Sequence, residues 1–115
     1  MLTIHGRATS GNVQPVMWAV AELELPHRRL DVGGAFGGTD TPEFRAMNPN
    51  GLVPVLQDGE LTLFESGAIL RYLGATYGDE DWWPRDPRVR APLDQWAEWA
   101  KVTFWPAIAP LFNGL

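Results

Sequence analysis

The chain has 115 residues and an apolar fraction of 45%, enough for one compact domain with an ordinary core. A formal charge of −5, with 9 basic residues scattered along the chain, excludes the clustered Lys and Arg of a nucleic-acid surface. The absence of cysteine excludes disulfides, thiolate metal sites and cysteine redox chemistry, and His5 and His27 stand far apart with no ligand spacing around them, so no metal site is expected.

Leu2-Thr3-Ile4-His5 alternates apolar and polar residues, which predicts a short half-buried strand closed by Gly6. Arg7-Ala8-Thr9-Ser10-Gly11-Asn12 is a loop of small and hydroxylated residues, and Val13, Val16, Met17 and Val20 follow at helical spacing. With Asn12 as cap, Pro15 falls in the first turn, where its missing N–H has no partner to lose; the helix is expected to end near Leu25-Pro26. Arg28 to Val32 reads as a second strand, made parallel to the first by a right-handed β-α-β crossover. Gly33 to Asp40 places four glycines in eight positions without the spacing of a phosphate-binding loop, and reads as a flexible rim of a cleft. Thr41 is expected to cap a short helix that starts at Pro42 and runs through Met47.

The stretch from Asn48 to Leu73 holds two unusual signals. Pro54 interrupts the apolar run Val53-Pro54-Val55-Leu56-Gln57, where its fixed φ and missing N–H are unwelcome in a strand. A cis Val53-Pro54 bond explains it, because the chain then turns sharply and leaves the Val53 N–H and C=O free to pair with an extended peptide-like ligand. Asp58-Gly59-Glu60 is a hairpin turn into a fourth, antiparallel strand, Leu61 to Phe64. Glu65-Ser66 then precedes an amphipathic helix that buries Ile69, Leu70 and Leu73 and ends at a left-handed Gly78. With Ser66 as cap, the first free amides form a carboxylate site. A free backbone edge beside such a helix start suits a short peptide that carries a carboxylate.

Asn48-Pro49-Asn50-Gly51-Leu52-Val53-Pro54-Val55-Leu56, followed by Glu65-Ser66-Gly67-Ala68-Ile69 and Tyr72-Leu73, resembles the glutathione-binding domain of the glutathione transferases. The order β-α-β-α-β-β-α and the resemblance both imply a thioredoxin-like α/β fold with a four-stranded mixed sheet. The resemblance further implies that Val53 pairs through its main chain with the cysteinyl unit of glutathione, that Pro54 holds this edge in place, and that Glu65 and Ser66 take the γ-glutamyl amine and carboxylate. The run Gly6 to Val13 is similar to the serine-type members, which implies Ser10 as donor to the thiolate with Asn12 assisting. Thr9, one position away, is the alternative donor, and a purely structural alternative has Ser10 and Asn12 capping the helix. Two positions depart from the serine-type pattern: Asp40 and Leu52 stand where relatives often carry a Lys and a Gln, which removes polar contacts to the peptide.

Asp79 to Pro87 carries charges and two prolines and reads as a linker, placing one domain at residues 1–78, the linker at 79–88 and a helical segment at 89–115. Val89, Leu93, Trp96, Ala97, Ala100 and Phe104 keep a helical stripe with Trp99 and Trp105 adding bulk, and Pro106 and Pro110 are expected to interrupt or end that helix. The stripe has little to pack against. Resembled members continue into an all-helical second domain, so the expectation is either a fragment or an apolar face covered by another chain, with a homodimer as the natural form. No apolar run approaches the roughly 20 residues that span a bilayer, and the first residues lack the basic start and apolar core of a signal peptide, so a cytoplasmic location without a membrane partner is expected.

The function implied by the resemblance is conjugation of the glutathione thiolate to a small, largely apolar electrophile, with glutathione as co-substrate and no resident cofactor. The alternative is a non-catalytic binding module of the same family. A disulfide reductase on this fold is excluded, since no cysteine is present to attack a disulfide.

Overall fold

The computed structural model describes residues 1–113, with side chains through Leu111. The chain forms two compact units, Met1–Tyr77 and a second from Gly78 onward.

The first unit is built on a four-stranded sheet of order β2-β1-β3-β4, from β1 (Leu2–His5), β2 (His27–Leu30), β3 (Val55–Asp58) and β4 (Leu61–Phe64). β1 and β2 run parallel with Ile4 opposite Arg29, whereas β3 lies antiparallel to β1 and β4 antiparallel to β3, with Leu56 opposite both Ile4 and Leu63. Helices α1 (Gln14–Glu22), α2 (Pro42–Met47) and α3 (Ser66–Tyr77) complete a thioredoxin-like arrangement. The period-2 pattern of the strands and the helical stripes of α1 and α3 meet in one cluster: Leu2, Ile4, Val13, Val16, Ala19, Val20, Leu56, Ile69 and Leu73 are all buried in it. Leu70 packs against that cluster only partly buried, while Val55 and Phe44 of α2 are buried outside it.

Several boundaries differ from the sequence expectation for local reasons. The Ser10 carbonyl accepts the N–H groups of both Val13 and Gln14, so the turn starts early and Val13, not Asn12, occupies the cap position of α1; Pro15 still falls in the first turn. α1 ends at Glu22 because Glu24 adopts φ +53 and the chain closes as a Schellman motif, with Glu24 N–H on Ala21 O and Leu25 N–H on Val20 O. β2 covers His27 to Leu30, the four partners of β1, rather than Arg28 to Val32. β3 begins at Val55, two residues later than expected, after the cis Val53–Pro54 peptide. Ser66 is the first helical residue of α3 rather than its cap; Glu65, at φ +73, precedes it and its carbonyl accepts the Ile69 N–H. Gly78 is not in the left-handed region, and its carbonyl instead accepts from Arg85 Nη2 at 2.9 Å.

Three local devices hold the first unit's loops. Thr41 caps α2 as expected, its hydroxyl accepting the Phe44 N–H at 3.2 Å. Asn48 is buried and folds the approach to β3, donating from Nδ2 to Leu52 O at 2.9 Å and accepting at Oδ1 from the Asn50 N–H and Nδ2, each at 3.0 Å. Asp58, at the end of β3, accepts at one carboxylate oxygen from the hydroxyls of Tyr72 and Tyr77, both at 2.5 Å, and so ties the hairpin to the last turns of α3.

In the second unit, α4 (Pro87–Trp99) is capped by the Asp86 side chain, which accepts the Arg88 N–H, so the helix starts inside the segment read as linker. Pro106 and Pro110 do not end the helical run. A π-helical segment, Ala100–Phe104, joins α4 to α5 (Trp105–Asn113), and the Trp105 N–H bonds back to Ala100 O. That wider turn immediately precedes Pro106, which has no N–H to place in the ladder. Trp96, Trp99 and Phe104 form a continuous ring cluster, with centroids 5.6 Å and 5.3 Å apart, and Arg90 lies 3.2 Å over the Trp83 ring. No helix among the described residues is long and apolar enough to cross a membrane.

Asn48→Ala strands the Leu52 carbonyl and the Asn50 N–H, and is expected to lower unfolding free energy by about 1–3 kcal/mol in guanidinium titrations. The Tyr72 hydroxyl, and then that of Tyr77, hold the Asp58 carboxyl below its usual range, while Asp58 pushes both tyrosines up. The depressed carboxyl contributes stability above its unfolded value, roughly pH 3.9, and that contribution is lost as pH falls through the folded value; the tyrosines lose theirs as pH rises past about 10. Urea midpoints measured from pH 2 to 11 should therefore fall at both ends, and Asp58→Asn should flatten both falls.

Candidate functional site

The strand directions bring the sequence-predicted residues to one edge of the sheet. β1 and β2 are parallel, so Gly6 and the Gly33-Gly34 segment leave from the same edge; β3 is antiparallel to β1 with Val55 opposite His5, so Val53-Pro54 enters there; β4 ends there too, with Phe64 opposite Val55, and passes directly into Glu65-Ser66. Residues distant in sequence thus become neighbours through register alone.

Two glycine positions let the segments close on one another. A Cβ at Gly6 would lie 2.5 Å from Val13 Cγ2 and 3.4 Å from Val53 Cβ, so the start of α1 and the Val53 segment both press on the bare backbone at the end of β1. Gly34, at φ +57, lies under the Arg7 side chain: a Cβ there would be 2.8 Å from Nε and 2.9 Å from Cδ. A Cβ at neighbouring Gly33 would sit 3.0 Å from Arg7 Nη1 and 3.4 Å from both Val53 methyls. The glycine run is therefore a surface on which Arg7 lies rather than only a flexible rim.

Ser10 is 5% exposed, and its backbone is fixed by its N–H donating to Arg7 O and by its carbonyl accepting at the start of α1. No hydrogen bond within the chain takes its hydroxyl among the described residues, yet Oγ is not sealed from solvent, since no buried unpartnered side-chain oxygen exists there. The small opening that remains at Ser10 therefore includes the hydroxyl. Thr9 is exposed and Asn12 half-buried two residues further on. The Val53–Pro54 bond is cis, and among the described residues no intrachain hydrogen bond takes the Val53 N–H or C=O. Pro54 is buried beneath that edge. Glu65 holds an exposed carboxylate on a left-handed backbone, and Ser66 is buried at the first turn of α3, where the leading amides have no intrahelical acceptor.

Among the described residues the edge thus offers an open main-chain pair, a helix start with a carboxylate beside it and a hydroxyl without an intrachain partner. Such a set can hold an extended, zwitterionic short peptide and donate to one anionic atom of it. Sequence reasoning missed Arg7, which gives no motif; its only trace in the sequence was the need for glycine at positions 33 and 34, which the run of four glycines obscured.

Comparison with known proteins agrees with this reading of the fold. The family model "Glutathione S-transferase, N-terminal domain" matches residues 2–75. The glutathione S-transferase GstB of Escherichia coli strain K12 is 44% identical over 117 aligned residues, covering 100% of this chain and 56% of that protein. A glutathione S-transferase of Hyoscyamus muticus is 33% identical, covering 96% of this chain and 53% of the relative. Among solved structures, a theta class glutathione S-transferase from the citrus canker pathogen Xanthomonas axonopodis pv. citri, with glutathione bound, superposes with a TM-score of 0.86 at 50% identity over 90% of this chain and 49% of that one. A glutathione S-transferase from Pseudomonas fluorescens Pf-5 gives a TM-score of 0.86 at 32% identity, over 99% of this chain and 58% of that one. The chain spans about half the length of these relatives. It belongs to the glutathione S-transferase family, whose N-terminal domain its first unit forms.

Proposed function

We propose that the first unit binds glutathione and ionises its thiol for attack on an electrophilic carbon of a small, largely apolar co-substrate, a detoxifying conjugation in the cytoplasm with glutathione as co-substrate and no resident cofactor. Val53 pairs through its main chain with the cysteinyl unit, Pro54 backs that edge, and Glu65 and Ser66 receive the γ-glutamyl amine and carboxylate. Ser10 donates to the sulfur with Asn12 assisting. The observation that carries the reading is the Ser10 hydroxyl, buried in all but its own opening and unpaired within the chain among the described residues, at the edge where the free Val53 main chain enters.

The chemistry follows from the thiol's weakness as a nucleophile while protonated. A free thiol with pKa about 8.5 is mostly un-ionised at neutral pH. One charge-assisted hydrogen bond to the thiolate contributes roughly 1.5–3 kcal/mol, which at about 1.4 kcal/mol per unit lowers that pKa by about one to two units. The thiolate then forms a C–S bond as the leaving group departs with its electron pair, and the thiol proton passes to solvent. The glutathione-bound relative of 50% identity supports glutathione as the ligand.

A second reading, a binding module of the family without turnover, is favoured by the exposed aromatic face of the second unit, where Trp96 is 63% and Phe104 47% exposed. We assign that face to a second copy of the chain in a homodimer.

Ser10→Ala is expected to raise the pKa of bound glutathione by about one to two units while leaving its affinity within threefold. Thiolate absorbance near 240 nm followed against pH measures this; an unchanged titration together with a shifted one in Thr9→Ala would move the donor role to Thr9. Retention on immobilised glutathione without turnover of an aryl halide would favour the module. Sedimentation velocity should give a dimer that Trp96→Glu converts to a monomer, and a monomeric wild-type chain contradicts the assignment of the aromatic face.

A further inference from the structure

We infer that Arg7 is the anchor for a carboxylate on the electrophile, so that the co-substrate class narrows to otherwise apolar electrophiles carrying one planar anionic group near the reacting carbon. The inference rests on the glutathione site proposed above, because it places the anion beside that site. Arg7 is half-buried, and its guanidinium lies across the Gly33-Gly34 backbone; a Cβ at Gly33 would meet both Arg7 Nη1 at 3.0 Å and the Val53 methyls at 3.4 Å. Its main chain is held from both sides, the N–H donating to Val32 O at 2.9 Å and the carbonyl accepting the Ser10 N–H at 3.2 Å. The cation is therefore carried on the same turn as the proposed thiolate donor and lies on the Gly33-Gly34 backbone, where the Val53 methyls also approach Gly33.

Among the described residues that cation has no counter-charge, and no hydrogen bond or ion pair occupies the Arg7 guanidinium. Asp31, just past the end of β2, is taken by Arg29, whose Nη1 reaches its carboxylate at 2.7 Å and also donates to Gly6 O at 3.1 Å. A guanidinium presents its donors in a rigid fork that matches a carboxylate edge to edge, and half-burial against glycine backbone orients the fork and limits its hydration. A group that is always charged and has no internal partner is a poor lining for a purely apolar co-substrate and a good one for a carboxylate.

The tripeptide itself carries a glycyl carboxylate, so the test separates the two sources. Two ligands that differ only in charge are the glutathione conjugates of 4-chloro-3-nitrobenzoate and of 4-chloro-3-nitrobenzamide, in which the sulfur has replaced chloride. Equilibrium binding by calorimetry requires no turnover. The wild-type chain is expected to bind the carboxylate conjugate about tenfold more tightly than the amide, the size of one charge-assisted hydrogen bond. Arg7→Gln should erase that preference while leaving affinity for glutathione within twofold, and Arg7→Lys, which keeps the charge, should retain part of it; circular dichroism verifies that both variants fold. Equal wild-type affinities, or a preference that survives in Arg7→Gln, overturn the inference. A loss of glutathione affinity in Arg7→Gln as large as that of the conjugate assigns Arg7 to the glycyl carboxylate and overturns it as well. Free 4-chloro-3-nitrobenzoate, titrated without glutathione, distinguishes the failures: if glutathione and both conjugates fail to bind but the free carboxylate still binds in an Arg7-dependent way, the glutathione site is wrong and the anion anchor stands.

Discussion

Two chain segments, at Gly6 and at Gly33, close on Val53, and they do so because the backbone at both positions carries no Cβ. At Gly6 an added carbon would stand 2.5 Å from a Val13 methyl, a distance that real side chains essentially never show. Val13 is itself fully buried at the entrance of α1, so it has nowhere to move. The start of α1 at Val13, the end of β1 at Gly6 before it and the segment that presents Val53 are therefore set against one another by close packing, not by a hydrogen-bonded brace.

Polar contacts then fix what packing leaves adjustable. The Asn48 amide satisfies groups on both sides of the 48–52 turn, so the residues entering the Val53 edge arrive in one conformation. Glu65, at φ +73, is one of two non-glycine residues with positive φ among the described residues; the other, Glu24, is explained by the helix terminus it closes, whereas Glu65 stands where the chain passes from β4 into the helix start assigned to the ligand's charged end. An unfavourable backbone at that junction fits a site whose geometry is imposed by its surroundings. Asp58 and its two tyrosines secure the opposite end of the hairpin, so β3 and β4 are tied at both ends.

The second unit obeys different rules. Among the described residues its helices bury none of the large apolar residues of their stripe: Val89, Leu93, Trp96, Trp99 and Phe104 are all exposed. An edge-to-face Trp96–Trp99 contact and a stacked Trp99–Phe104 contact organise that surface without hiding it from water. The helical run survives Pro106 because the π segment before it shifts the hydrogen-bond ladder by one residue, a change of backbone register that no apolar periodicity records.

Local sequence rules alone determined the strands, the Thr41 cap, the Asp58-Gly59-Glu60 hairpin and the burial of Ile69 and Leu73, since alternation, helical spacing and turn chemistry act within a few residues. They also marked Val53-Pro54 and Glu65-Ser66, because a proline inside an apolar run and an acid-hydroxyl pair before a helix are locally improbable without a use. Boundaries were less legible: the caps of α1 and α3 each moved by one residue once Ser10 and Glu65 supplied the carbonyls that start those helices. The tertiary structure alone decided that Arg7 lies on Gly33 and Gly34, that the Ser10 hydroxyl stays unpaired among the described residues and that residues as distant as Gly6, Val53 and Glu65 share one edge. Those facts depend on strand register and on atoms brought together across tens of residues, and a linear pattern carries no term for either.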